Sequence, residues 1–209
     1  MSVRPVSLCL AVLAGALLLA GCASDGRRSA AEFDLGIPDT TAQQRQAIEL
    51  VNRGYELYHD EDRDYEKRSR EAAELFRRAI SLDPGFASAH FNLGVFYLDN
   101  QAYPSAIQSF RTAQILTPAD SRAAYHLGVA YASMRRHDRA IEAYQDALLV
   151  NPNDLLAMRG LMASCRRSLY ADHATLEAIR RGLELETSRE WRGHMEREVT
   201  RQEQLLELG

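Results

Sequence analysis

Residues 87–152 read ASAHFNLGVFYLDNQAYPSAIQSFRTAQILTPADSRAAYHLGVAYASMRRHDRAIEAYQDALLVNP, and this stretch decides the fold because it contains one pattern twice. The second copy follows the first at an interval of 34 residues. Seven positions keep their residue class in that register: Leu93, Gly94, Tyr97, Ala106, Phe110, Ala113 and Pro118 become Leu127, Gly128, Tyr131, Ala140, Tyr144, Ala147 and Pro152. A pattern that recurs at a fixed interval indicates a repeat architecture.

Within one copy the spacing predicts two helices. Gly94 and Tyr97 lie on one face of a first helix, and the glycine leaves room for a second helix to approach. Ala106 and Phe110 belong to an apolar stripe of helical period on that second helix. Pro118 ends the unit, since proline cannot continue a helix.

This pattern resembles the tetratricopeptide repeat, a helix–turn–helix unit. The resemblance implies an all-α solenoid of antiparallel helix pairs, because a single unit cannot bury its own apolar face and needs stacked neighbours. Ten residues carry the repeat structure in this interpretation: Gly94, Tyr97, Ala106, Phe110, Pro118, Gly128, Tyr131, Ala140, Tyr144 and Pro152.

Weaker copies are predicted on both sides of the two clear ones. Gly54 and Ala72 match the pattern before them, and Met162 and Cys165 replace its Gly and Tyr after them. A terminal helix among many charges is what a solubilising cap requires. The predicted array therefore spans residues 41–186, with repeats at about 47–84, 87–118, 121–152 and, degenerate, 155–186, followed by a capping helix at 187–209.

The first copy carries six extra residues between its two helices. Asp60, Asp62 and Asp64 in this insertion mimic the ligand spacing of a calcium loop. Tyr65, however, occupies the position where such a loop needs glycine, and it continues the helical period of the second helix. The sequence favours a longer second helix and leaves ion binding open as an alternative.

The amino terminus is predicted to direct and anchor the chain. Residues 1–21 combine an early positive charge with an apolar run too short to span a membrane comfortably, which is typical of a signal peptide. The run ends in Leu-Ala-Gly-Cys, which resembles a bacterial lipobox and implies that Cys22 is lipidated, palmitate being one possible acyl group. Residues 22–40 would form a flexible lipidated tether. With alanine at position 23, the resemblance implies the outer membrane, facing the periplasm.

Composition and motifs argue against several function classes. The net charge of −4 makes nucleic acid an unlikely partner. No group of nucleophile, base and orienting residue can be assembled, so we predict no enzyme activity, no cofactor and no metal. A metal-dependent or hydrolytic envelope enzyme stays as an alternative, with the aspartates of the insertion or a pairing of His90 with His126 as its site.

Function is therefore predicted on the concave face, which tetratricopeptide families line with their first helices. A protein or peptide of the envelope would bind there, in pilus or secretion assembly or in the organisation of peptidoglycan enzymes. A self-associating structural lipoprotein is a further alternative, and the sequence does not fix the oligomeric state. The predicted groove residues are Tyr55, Tyr58, Phe91, Asn92, Val95, Arg122, Tyr125, Val129, Arg159 and Arg166.

Overall fold

The computed structural model describes residues 40–208, and this part of the chain consists of nine α-helices joined by short turns. No helix in this part is long and apolar enough to cross a membrane. The predicted signal peptide, Cys22 and all of the predicted tether but Thr40 lie outside the described residues. The helices are α1 (Thr40–Tyr58), α2 (Tyr65–Leu82), α3 (Ala87–Asp99), α4 (Tyr103–Leu116), α5 (Ser121–Ser133), α6 (His137–Val150), α7 (Leu155–Ser168), α8 (His173–Leu185) and α9 (Arg189–Leu208).

The helices pack as pairs in sequence order, which confirms the predicted all-α solenoid. α1 packs on α2, α3 on α4, α5 on α6 and α7 on α8, and each second helix also packs on the next first helix. Successive first helices also contact each other, in the order α1, α3, α5, α7 and α9. Within the described residues, no two second helices pack against each other in this way. We call the surface that these five helices form the inner surface.

Glycines let each second helix approach its first helix. A Cβ atom built on Gly94 would lie 2.7 Å from the ring of Phe110, and one built on Gly128 would lie 2.5 Å from Tyr144. A Cβ atom built on Gly54 would lie 2.6 Å from the ring of Phe76, so the predicted first copy has the same construction. These distances are shorter than any ordinary carbon–carbon contact, so the aromatic ring fills the space that the glycine leaves.

The fourth helix pair makes a close contact with the pair before it. Met162 stands at the register position of the repeat glycine, as predicted, and Gly160 stands at the register position of His126, the residue that stacks on Phe110. A Cβ atom on Gly160 would lie 2.5 Å from Tyr144, on a ring that also meets Gly128. Tyr144 is therefore held between the glycines of two successive repeats, and this links the degenerate copy to the regular array.

The extra residues of the first copy lengthen α2, as predicted. α2 begins at Tyr65 and has 18 residues, against 14 in α4 and α6. Asp64 caps it by accepting a hydrogen bond from the amide of Lys67 at 2.9 Å. Asp60 pairs with Arg63 at 2.9 Å. These carboxylates thus have local protein partners, and no group of three or more potential ligands among residues 40–208 is placed to hold a metal ion.

Two hydrophobic clusters stabilise the array. One surrounds Phe76, and the other extends from Ala106 through Tyr144 to Met195. Residues 38–209 form a unit of their own, and both clusters lie within it. A fragment that begins at residue 38 therefore retains the complete core.

Candidate functional site

The predicted groove begins on α1, where two tyrosines have different surroundings. Tyr55 is 55% exposed, with its ring centroid 4.4 Å from that of His59. Tyr58 is buried, and its hydroxyl donates a hydrogen bond to Asp99 at 2.5 Å. Burial, followed by this hydrogen bond, raises the pKa of Tyr58. Tyr58 therefore joins α1 to the end of α3, and only Tyr55 of this pair is open to a ligand.

An aromatic row fills the middle of the inner surface. The ring of His126 stacks on that of Phe110 at 5.2 Å, and the ring of Phe91 lies 5.3 Å from His126. Tyr125 lies 6.0 Å from Tyr144. Phe91 and Tyr125 are half-buried, so one side of each packs between repeats while the other contributes to the surface. Asn92, Val95 and Val129 are likewise half-buried on these helices.

His126 is held in an apolar site. Burial is the main cause that lowers the pKa of His126. The charge of Asp99 partly opposes this shift, and the charge of Arg122 adds to it. Its Nδ1 atom is buried and has no hydrogen-bond partner, which favours the neutral ring. His90 instead contacts the carbonyl oxygen of Pro84 through Nε2 at 3.0 Å. The two histidines that could have formed a metal pair are therefore engaged in separate packing and hydrogen bonding.

Two of the predicted groove arginines already have carboxylate partners. Arg122 donates to both carboxylate oxygens of Asp120, at 2.6 to 3.0 Å, and lowers the pKa of that carboxyl. Arg159 donates from Nε to Glu186 at 2.8 Å. Glu186 is only 3% exposed, and hydrogen bonds from the backbone of Ser188 and then from Arg159 lower its pKa. These pairs position the guanidinium groups but reduce their capacity to bind another anion.

Arg166, the third predicted arginine, is exposed and lies at a pocket between α7 and α9 of about 380 Å³. A second pocket, of about 710 Å³, opens where α5 turns into α6. The first is lined by Met162, Ala163, Arg166, Arg167, Trp191 and His194. The second is lined by Val129, Ala132, Ser133, Arg135, His137, Tyr144 and Arg167. Arg167 lines both, so the pockets adjoin.

Sequence reasoning missed Arg135, Arg167, Trp191 and His194 as site residues. A signal was present, because one arginine pair follows α5 and another lies in the last turn of α7: residues 134–137 read MRRH and residues 165–168 read CRRS. Such a pair at a helix carboxy terminus is usually explained by its interaction with the helix dipole. Trp191 packs against the hydrophobic core and also lines the pocket between α7 and α9.

Cys165 has the properties of a core residue. It is fully buried, and burial raises the pKa of its thiol to about 12. A thiol in this state is a weak nucleophile at neutral pH, because the thiolate is the reactive form.

Comparison with known proteins identifies the repeats. Tetratricopeptide repeat models match residues 62–121 and residues 121–154. Residues 62–154 form tetratricopeptide repeats. The packing of successive helices continues beyond these limits, since α1 packs on α2 at Gly54 and α7 packs on α6 at Gly160. No curated protein matches the chain at a significant level.

Several solved structures share the tetratricopeptide architecture. A crystal structure of MamA is 26% identical over 69% of this chain and 75% of its own, with a TM-score of 0.57. The TPR domain of OM64 from Arabidopsis is 18% identical over 59% of this chain and 98% of its own, with a TM-score of 0.54. The first TPR of Spaghetti (RPAP3), bound to an HSP90 peptide, is 17% identical over 61% of this chain and 96% of its own, with a TM-score of 0.55.

Proposed function

We propose that this protein is a lipid-anchored scaffold of the bacterial cell envelope that binds another protein on the inner surface of its tetratricopeptide array. The observation that carries the proposal is the inner surface itself. Accessible aromatic and arginine side chains line it, and two open pockets adjoin at its carboxy-terminal half. Tetratricopeptide repeats generally serve protein binding rather than catalysis, and the RPAP3 domain of the same architecture holds a peptide.

The construction of the array suits a preformed receptor. Each first helix is fixed by a second helix on one side and by the neighbouring first helices on the other. Side chains such as Tyr125 and Arg159 are held further by ring packing and by an ion pair. A ligand that binds here therefore avoids much of the cost of ordering its receptor.

The anchor is the second part of the proposal and rests on the sequence alone. Cys22 at the end of the short apolar run would carry the acyl chains, and several chains make attachment effectively permanent. The array would then be held at the outer membrane, facing the periplasm. Partners in pilus or secretion assembly, or enzymes of peptidoglycan, fit such a position.

Anchoring is tested by expressing the full chain and Cys22→Ser in bacteria fed an alkyne analogue of palmitate. We expect labelling of the natural chain and its recovery with the outer membrane, and neither for the variant. Labelling that persists in Cys22→Ser, or a natural chain that stays unlabelled, would refute the anchor.

Binding is tested by filling the two pockets. Ala132 and Ala163 line one pocket each, and tryptophan at either position would occupy it. Ile115 and Leu149 are matched control positions, because they are 80% and 82% exposed on second helices. Affinity purification of the tagged chain from its own cells should lose a partner with Ala132→Trp and Ala163→Trp and retain it with Ile115→Trp and Leu149→Trp. Equal recovery with all four variants would contradict the proposal.

A further inference from the structure

Three arginines at the carboxy-terminal half of the inner surface have no carboxylate partner. Arg135, Arg166 and Arg167 form no ion pair within the described residues, although other arginines of the chain, such as Arg122 and Arg159, do. Arg167 donates only to the backbone oxygen of Ala163, at 3.1 Å. Unpaired guanidinium groups that line adjoining pockets, in a chain whose net charge is −4, mark a local site for an anion.

The two pockets that these arginines line contain no carboxylate. By contrast, the pocket between α1 and α2 has Glu56, Asp60, Glu71 and Glu74 among its lining residues. One carboxylate does lie beside a residue of the pocket between α7 and α9, since Oε1 of Glu190 is 3.9 Å from Nε2 of His194. We call the pockets that share Arg167 the arginine pockets.

Apolar surface accompanies the positive charge. Trp191 forms one wall of the pocket between α7 and α9, and the guanidinium carbon of Arg159 lies 4.7 Å from its ring centre. Val129 and Tyr144 contribute to the other pocket. A ligand for this site thus needs carboxylates for the arginines and an apolar group for the walls.

We propose that the arginine pockets bind an extended acidic segment of the protein partner, in which an aromatic or aliphatic side chain lies between carboxylates. This inference rests on the proposed function, because it names the chemistry of the segment that the inner surface accepts. The carboxylates pair with Arg166 and Arg167 in one pocket and with Arg135 and Arg167 in the other. The apolar side chain packs against Trp191.

The placement of the pockets favours a peptide over a membrane surface. Anionic lipid headgroups are reached by cations on a flat or convex face, as in an interfacial helix. The pocket with Trp191 lies between α7 and α9, both of which belong to the inner surface. A peptide strand can enter a pocket between two helices, whereas the flat surface of a bilayer cannot.

The arginines that we expect to bind the partner's carboxylates differ from those that the sequence predicted. Arg122 and Arg159 were predicted for this role, but Asp120 and Glu186 already satisfy them. They act as positioning residues, with Arg159 holding the ring of Trp191. Guanidinium groups without a partner bind a new carboxylate without first breaking an ion pair.

Fluorescence anisotropy with a defined probe tests the proposal. The probe is a fluorescein-labelled peptide of ten residues, in which a tryptophan lies between two pairs of glutamates, and the protein is the fragment from residue 38. Control peptides replace the glutamates by glutamines, or the tryptophan by alanine. The site variants are Arg166→Gln with Arg167→Gln, and Arg135→Gln. The matched control is Arg78→Gln with Arg181→Gln, which removes two exposed arginines from second helices.

We expect the double variant to weaken peptide binding by at least about tenfold and Arg135→Gln by about threefold to tenfold, since each removes a charge-assisted hydrogen bond. The control variant should match the natural chain, and both control peptides should bind more weakly. Circular dichroism must show equal helix content for all variants. Because the substitutions lie on exposed side chains, loss of folding is not expected.

Three results would overturn the inference. The first is equal binding by the site variants and the control variant, and the second is equal binding of the glutamine peptide. The third is binding of phosphatidylglycerol vesicles, but not of the peptide, in a manner that depends on the same arginines, which would assign the site to lipid. If Ala163→Trp abolishes capture of a partner in cells while these variants do not, the proposed function stands and this inference fails. If no partner depends on the inner surface at all, both fail.

Discussion

Replacing Gly128 with alanine tests the packing on which the array depends. The new Cβ atom would lie 2.5 Å from Cε1 of Tyr144, whereas carbon atoms in contact prefer about 3.5 to 4.0 Å. The ring would therefore have to move by about 1 Å. It is only 3% exposed, and it also packs against Gly160, where an added Cβ atom would lie 2.5 Å from Cζ of the ring. Overpacking of this kind costs about 1 to 3 kcal/mol.

A second glycine supplies the control for this substitution. Gly193 lies inside α9, where a Cβ atom would come no closer than 3.5 Å to Nη1 of Arg197. Alanine is favoured over glycine in a helix by about 0.8 to 1.0 kcal/mol, and this gain applies at both positions. Gly193→Ala should therefore stabilise the chain by about 1 kcal/mol, while Gly128→Ala should be neutral or destabilising by up to about 2 kcal/mol.

The assay is urea unfolding of the fragment from residue 38, followed by circular dichroism. The difference between the two substitutions should be about 1 to 3 kcal/mol, which is the packing cost alone. Gly160→Ala should resemble Gly128→Ala, and the two together should be non-additive because both displace one ring. If Gly128→Ala stabilised the fragment as much as Gly193→Ala does, the account of close packing around Tyr144 would be refuted.

Three further predictions concern buried groups. The stability of the fragment should fall as the pH drops below about 6.5. Burial lowers the pKa of His126, so the unfolded chain takes up a proton that the folded chain resists. The melting temperature of His126→Phe should fall less with pH than that of the natural chain, and identical pH profiles would contradict this. Tyr58→Phe should lower the free energy of unfolding in urea by about 1 kcal/mol, because the hydrogen bond to Asp99 is lost, whereas Tyr55→Phe should lower it little. Equal effects of the two substitutions would indicate that the hydroxyl of Tyr58 is in water. The thiol of Cys165 should react with Ellman's reagent only after unfolding in urea, since it is fully buried; rapid reaction in buffer would show that the site opens readily.

The sequence predicts the array well because its packing contacts are local. Gly94 and Phe110 are 16 residues apart, and their counterparts Gly128 and Tyr144 keep the same separation. Each pair meets within one helix pair, so the spacing alone determines the contact. The same reasoning finds Gly54 with Phe76 once the longer α2 is allowed for.

Contacts that differ from one repeat to the next are less visible in the sequence. Tyr144 meets Gly160 of the following pair, whereas at the same register position of the preceding repeat Phe110 meets His126. Arg159 and Glu186 are 27 residues apart, and no pattern connects them, because the second residue lies in the turn after α8. Whether an arginine of the predicted groove is free or already in an ion pair depends on such contacts. The sequence could therefore place Arg159 on the inner surface but could not show that it is already paired. The partner of Arg122, in contrast, is Asp120, only two residues away.

Photo-crosslinking in cells tests the central claim, that the inner surface binds a protein partner, most directly. Benzoylphenylalanine is introduced into the full chain at Ala163, which lines the pocket with Trp191, or at Leu149, which is 82% exposed on a second helix. The account predicts a crosslinked product with another envelope protein from position 163 and not from position 149. Equal products from both positions, a product from position 149 alone, or a product that contains only a second copy of this chain would contradict it.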